Sequence, residues 1–469
     1  ICYLDLGDEI HTNPLDYQAI MSHGRHAAFV SDRFTWLSPE CLWYPVRIPP
    51  VDPLLPNQSE RDFTSFRLSV ICDTTLTAIS QGVGIRNKDT VCFTNMRALS
   101  GLTLCMGKYR QRSLDDGRIR YNLYYFSENG ALYKKFNGSK DGVRAGLEES
   151  MEYFEYNQGI DYPFDELSMI ELPVSCCLQI RDGGTMLQPE FVFQMENLCD
   201  RNTYSSLEDR VKWFRGFAPN RSTTEIESEM VSAFLKESFD LKEYKNVRIS
   251  LRNILSGRYL ASEEQENPFS IAPMFTNFSG YIFSEKYPCV DKIINSLLRR
   301  ESNVTFDLNQ IGLSHEDQAI LTLGSQSLRE LLSNRKSTSF LETITYLKSH
   351  YLKNLLLSSL KEEELDIFLR EFKEQNAFQR IDIDDFIKEF DRRFSLDIRD
   401  VIDKLYHDRQ LPRFHIQNIT QWSEGENAVV GFDVWNSSVV EGVISLYARK
   451  NDVGSQTEKV GCRVIAGGE

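Results

Sequence analysis

The chain has 469 residues, 41% of them hydrophobic, 12% aromatic and 26% charged, which excludes a disordered polymer and gives length for roughly three domains with cores of their own. Its 53 basic and 68 acidic side chains leave a net charge of −15, spread without any Lys/Arg block, and this argues against nucleic acid or an anionic membrane as the main partner. No apolar run approaches the ~18 residues that span a bilayer, so the piece reads as soluble.

The chain opens on Ile1-Cys-Tyr-Leu-Asp-Leu6, with neither an initiator Met nor a charged-then-apolar leader, and is read as part of a longer protein. Its ten cysteines show no C-x-x-C pair of the kind structural zinc needs. They are read as small buried hydrophobes rather than a disulfide framework. Seven N-x-[ST] sequons, from Asn57 to Asn436, would accept glycans in a eukaryotic secretory pathway.

In chain order, β structure comes first. Phe66 to Val70 alternates, and Arg118 to Phe126 is aromatic and β-branched after an Asp115-Asp116-Gly117 turn. Strand patterning extends to about residue 140. Helical spacing then takes over: Ile344, Leu347, Tyr351 and Leu355 recur at three and four, as do Leu365, Phe368, Leu369 and Phe372. Residues 310–407 read as a run of helices. After Leu411-Pro412 the pattern returns to strands, with Val429 to Trp435 and Val443 to Tyr447 on either side of an Asn436-Ser-Ser turn.

Four segments make this order resemble the zinc aminopeptidase N family, the gluzincins. Leu37 to Pro45, followed by Thr64 to Val70 and Leu76 to Gly82, looks like that family's saddle-shaped β domain, and Leu104 to Tyr109 like the strand closing it. Asp161 to Pro173, a Tyr-Pro turn leading into an apolar strand, is similar to the opening of the thermolysin-like domain. Phe386 to Ile416 looks like the passage into a small β-sandwich. Glu40-Cys-Leu-Trp-Tyr-Pro45 and Gln188-Pro-Glu-Phe-Val-Phe193 further resemble bacterial ABC transporter permeases that carry an aminopeptidase-like region outside the membrane. The resemblance implies an α+β multi-domain fold: a saddle-like β domain over 1–149, a degenerate thermolysin-like α/β and helical body over 150–410, and a truncated β-sandwich over 411–469. It also implies a location on the periplasmic side of a bacterial inner membrane, with transmembrane helices elsewhere in the full protein.

Hydrolysis in that family needs H-E-x-x-H on a helix, two His facing one zinc with the Glu as base. The histidines here are His11, His23, His26, His315, His350, His407 and His415, and the helix expected near Glu225 to Phe239 has none. His315-Glu-Asp-Gln-Ala319 ends in Ala, and Ser314 with Asp317 reads as a helix cap. The family's G-x-M-E-N anchor appears as Gly184-Thr-Met-Leu-Gln188, with Leu187 in place of the Glu that holds a peptide's amino group. An alternative register, Phe193 to Asn197, keeps Met195-Glu-Asn197 but lacks the glycine. Phe275 to Tyr281 has no Glu where a second ligand helix is expected, and the transition-state Tyr before Gln318 is not found.

Elsewhere, His23 and His26 are read as a solvated loop, and Asp382, Asp384 and Asp385 as a helix start rather than a calcium loop. No nucleophile elbow or phosphate-cradling loop occurs. The expectation is a binding or structural region without metal, cofactor or catalytic residues, whose ligand is a peptide or partner protein. Its cleft would be lined by Met186, Leu187, Gln188, Glu190, Phe275 and Tyr281, with Glu229 nearby; the same side chains filling an old pocket as core is the competing reading. A hydrolase with a relocated site is the alternative function.

Overall fold

A computed structural model describes residues 28–31, 33–41, 43–46, 61–126, 130–173, 187–195, 206–239, 272–276, 278–298, 315–333, 341–425, 427–449 and 457–468. His11, His23, His26, Cys176, Cys177, Gly184, Met186 and Ser314 lie outside them. The fold is mixed α and β with several sheets, and the chain divides into two compact units, one formed by Ile1–Asp52, Ser59–Tyr281 and Asn376–Arg380, the other by Pro53–Gln58, Ile282–Gln375 and Ile381–Glu469.

The first unit begins with strands β1 (Ala28–Val30), β2 (Phe34–Leu37), β3 (Arg67–Ile71), β4 (Thr77–Ile79), β5 (Val83–Asn87), β6 (Thr90–Thr94) and β7 (Leu104–Gly107). They form a four-stranded sheet in the order β1-β2-β7-β4 and a three-stranded one in the order β3-β6-β5. Strands β8 (Arg110–Asp115) and β9 (Arg120–Tyr125) follow as the hairpin the sequence pattern predicts. Its turn is set by Asp115, which accepts the Gly117 N–H at 2.8 Å, and by Gly117 itself at φ 93°, a left-handed conformation that favours glycine.

Helices α1 (Ala131–Phe136) and α2 (Lys140–Gln158) lead to β10 (Glu166–Leu172), β11 (Leu187–Gln188) and β12 (Phe191–Met195). These strands build a five-stranded sheet in the order β11-β12-β10-β9-β8, with β10 parallel to both β9 and β12. Because parallel neighbours need a long crossover, α1 and α2 bridge β9 to β10. The boundary expected at 149/150 falls inside α2, and the sheet takes strands from both sides of it. Helices α3 (Leu207–Phe217), α4 (Thr223–Phe239) and α5 (Ala272–Thr276) complete the unit. Its core joins the two layers of sheet through Trp36 of β2 and Phe193 of β12, both fully buried with ring centroids 5.6 Å apart.

In the second unit, after β13 (Tyr281–Phe283), come α6 (Val290–Leu298), α7 (His315–Ser325), α8 (Leu328–Ser333), α9 (Leu341–Leu356) and α10 (Glu362–Gln375). Past β14 (Arg380–Asp382) follow α11 (Ile383–Phe394) and α12 (Arg399–His407). The apolar stripe read on α10 packs against α11, with Phe368 at 5.4 Å and 90° to Phe390 and Phe372 at 5.0 Å and 86° to Phe386. Asp382 caps α11 by accepting the Asp384 N–H at 2.9 Å, the helix start the sequence suggests. Lys348 of α9 is fully buried; its Nζ donates to the Asp408 carbonyl at 2.8 Å, and desolvation lowers its pKa to about 8.

The unit ends in two antiparallel hairpins, β15 (Phe414–Glu424) with β16 (Asn427–Asn436) and β17 (Gly442–Arg449) with β18 (Thr457–Ile465). The other expected boundary, 410/411, falls between α12 and β15. Where the hairpins meet, the side chain of Asn436 is wholly buried. Its Nδ2 donates to the carbonyls of Val440 at 2.8 Å, Ala466 at 3.2 Å and Ile465 at 3.4 Å. Its Oδ1 accepts from Ser438 N at 3.1 Å, Ser438 Oγ at 2.8 Å and Arg413 N at 3.3 Å. The sequon reading of Asn436 is corrected by this geometry, since a glycosylated amide nitrogen would lose its place in the core.

Candidate functional site

Of the expected cleft residues, Leu187, Gln188 and Glu190 lie on β11 and the turn to β12, and Phe275 is on the helix that packs against β11. Leu187 pairs with Val192 and Gln188 with Phe191, and β11 is the edge of its sheet among the described strands. Gln188 is buried. Phe275, on α5 packed against β11, is fully buried, its ring edge-on to Tyr162 at 5.5 Å. The Tyr162 hydroxyl lies 3.6 Å from Sδ of the equally buried Met274. Tyr281 is half-buried and its N–H donates to the Gln379 carbonyl at 3.2 Å. Gln188 and Phe275 are thus both side chains of the interior.

Glu190 behaves differently. Its backbone sits at φ 67°, an uncommon place for a residue with a Cβ, while its carbonyl accepts the Ser168 N–H at 2.8 Å and so ties the turn to β10. Its carboxylate accepts one N–H, from Gly82 at 3.1 Å. Gly82 is at φ 81°, and a Cβ there would lie 2.6 Å from the Thr94 carbonyl oxygen, so only glycine offers its N–H from this position. Gln81, fully buried, braces the same turn: its Nε2 donates to the Pro189 carbonyl at 3.0 Å and its Oε1 accepts from Thr103 N at 2.8 Å.

Desolvation raises the pKa of Glu190 to about 7, opposed by the Gly82 N–H and Arg97 and reinforced by the charges of Glu166 and Asp165. Glu166 is also raised, mainly by desolvation and against the pull of Arg120, whose Nη1 lies 3.0 Å away. The turn thus holds a protonatable carboxyl poised near neutrality beside a second one. Glu190 could be picked from the sequence as a cleft residue, but its burial could not, because its partner Gly82 is 108 residues upstream.

Helix α4 covers the segment where the metal helix was expected. It carries Ser228-Glu-Met-Val-Ser232, serines at the i and i+4 positions where a zinc helix presents two His. Its two central carboxylates are in use. Glu227, buried, accepts the Ser139 N–H at 3.2 and 3.1 Å and also the Ser139 hydroxyl, fixing the start of α2. Glu229 is exposed and lies 2.5 Å from Arg221. Among the described residues no group of three or more His, Cys, Asp or Glu is placed to hold a metal ion.

No family model matches the chain, and no curated protein matches it. Among solved structures it is similar to the crystal structure of Legionella pneumophila aminopeptidase A in complex with aspartic acid, at 12% identity and a TM-score of 0.47, over 94% of this chain and 46% of that one. It is also similar to the crystal structure of a point variant of an M1 zinc metallopeptidase from Deinococcus radiodurans, at 11% identity and a TM-score of 0.40, over 82% and 73% respectively. The chain spans less than half the length of the Legionella protein. Neither likeness assigns an activity to any residue of this chain.

Proposed function

We propose that this chain is a non-catalytic, aminopeptidase-like binding or structural region, lying outside the cytoplasm as part of a transporter permease and engaging a peptide or partner protein. The observation that carries the non-catalytic reading is the state of α4. Its segment has serines at the spacing of metal ligands, Glu227 holds the N-terminus of α2, and Glu229 is ion-paired at the surface. The transporter setting rests on the segments Glu40 to Pro45 and Gln188 to Phe193. Peptide engagement is proposed at β11, the edge of its sheet among the described strands, by addition of an extended chain. The test is elemental analysis with an aminoacyl-anilide assay. The expected result is substoichiometric zinc and no release of amino acid; one tightly held zinc with chelator-sensitive turnover would overturn the reading. Leu187→Glu and Tyr281→Ala in the intact protein are expected to weaken partner or transport function.

A second reading, a hydrolase with a relocated acid–base site, is favoured by one observation: Glu190 titrates near 7 beside Glu166. Turnover that is insensitive to chelator and lost in Glu190→Gln would select it.

A further inference from the structure

The outer face of α3 is neither core nor ordinary surface. Leu207 and Val211 are buried and Phe214 packs against the main core, which fixes the helix. On the exposed side Trp213 is 45% accessible and Phe217, one turn on, 72% accessible, with ring centroids 4.7 Å apart. Exposed Lys212 and Arg215 flank them, and Arg221 follows the helix. Arg215 donates to the Thr223 hydroxyl and Arg221 pairs with Glu229. The first turn of the helix carries the exposed Glu208 and Asp209, while from 210 to 221 the chain carries Arg210, Lys212, Arg215 and Arg221 and no acidic residue, within a protein of net charge −15. Exposed Trp and Phe interleaved with basic residues on a short helix form the pattern that seats at the boundary between lipid headgroups and acyl chains.

We infer that α3 is a membrane-surface anchor, with Trp213 and Phe217 entering the interface of an anionic bilayer and Lys212 and Arg215 meeting its headgroups. Charge complementarity selects this occupant: a bilayer of zwitterionic lipid offers the aromatic pair a seat but gives the basic side chains nothing, and the remaining acidic surface is repelled from an anionic membrane unless this face is turned toward it. The inference goes beyond the proposed function, because it names a surface and not the cleft.

The experiment is co-sedimentation of the chain with phosphatidylcholine vesicles, with and without phosphatidylglycerol, while tryptophan emission is recorded. Binding is expected only with phosphatidylglycerol, weakening as salt rises, with a blue shift that disappears in Trp213→Phe. Each basic side chain near an anionic surface is worth about five-fold in partitioning, so Lys212→Gln with Arg215→Gln lowers binding about 25-fold. Thermal melts establish that the variants fold. If one does not, quenching of the unaltered chain's tryptophan by brominated lipid decides. Absence of vesicle binding, binding indifferent to lipid charge, or binding unchanged in the folded variants would overturn the inference.

Discussion

Replacing Asn436 by Ala removes the amide that joins the two C-terminal hairpins. The three carbonyls it serves are not equally exposed to the loss, because Val440 O still accepts from Ser438 Oγ at 2.9 Å. The donors suffer more: Ser438 N and Arg413 N both rely on Asn436 Oδ1. An orphaned buried N–H costs about 1–3 kcal/mol, and water can reach the N–H of Arg413, an exposed residue, so the sum is about 3 kcal/mol. Asn436→Asp sharpens the test. It keeps the acceptor but sets a carboxylate against three carbonyl oxygens, which raises its folded-state pKa above the unfolded value. The variant is then destabilised at neutral pH and regains stability as pH falls toward about 4, where both states are protonated. Urea titration followed by tryptophan fluorescence measures both effects, reported locally by Trp435, which stacks on His415 at 5.2 Å. A loss below about 0.5 kcal/mol for Asn436→Ala, typical of a surface substitution, or an Asp variant without acid rescue would refute the hub.

Three further outcomes follow from buried carboxyl groups and the sequon. Glu190 binds its proton more tightly folded than unfolded, so its contribution is present below about pH 4.5 and lost as pH rises through about 7; Glu190→Gln, which keeps an acceptor for Gly82, is expected to flatten that dependence in urea melts at pH 5 and 8. Glu227→Ala is expected to cost about 2–3 kcal/mol by orphaning the Ser139 N–H at the start of α2, whereas Glu229→Ala stays within about 0.5 kcal/mol because its ion pair is exposed; equal losses would contradict the division of roles. After secretory expression, peptide mapping is expected to find Asn436 without a glycan.

Local pattern and long-range pairing differ in how far they can be read from this chain. The β9 strand is visible from its residue types after a turn, and the α10 stripe because side-chain periodicity reports which face is buried. Periodicity does not report a strand's neighbour. Aromatic and β-branched content in Arg118 to Phe126 identifies a strand and groups it with the early β structure, whereas its parallel pairing with β10 puts it in the five-stranded sheet. Whole-chain charge is likewise blind to local clustering: a net −15 says nothing of twelve consecutive residues, 210–221, whose only charged side chains are basic. The Asp382 cap was legible because capping is local, and the Asn436 hub was not, because a sequon describes three residues while the hub draws on chain from 413 to 466.

If the proposed reading holds, absence of the zinc motif and loss of peptide binding would be separate events. On α4 the two central carboxylates have structural partners, Glu227 inside at the start of α2 and Glu229 outside with Arg221. The β11–β12 turn is built differently. Gln188 and Phe275 are packed into the core, so an apolar pocket at those positions would require side chains already buried to move apart. The proposed ligand contact is therefore backbone at β11, the edge of its sheet among the described strands, and backbone recognition is indifferent to the side chains that hydrolysis needs. Glu190, strained and near neutrality, lies at the end of that edge. A strand paired on β11 would further restrict water around the turn and raise the carboxyl's pKa again. Peptide engagement at this edge would therefore take up protons near pH 7, a change that calorimetry in buffers of different ionisation enthalpy can measure. Glu190→Gln would abolish the proton uptake while leaving the strand pairing in place. Binding with no proton uptake in the unaltered chain would place the ligand elsewhere.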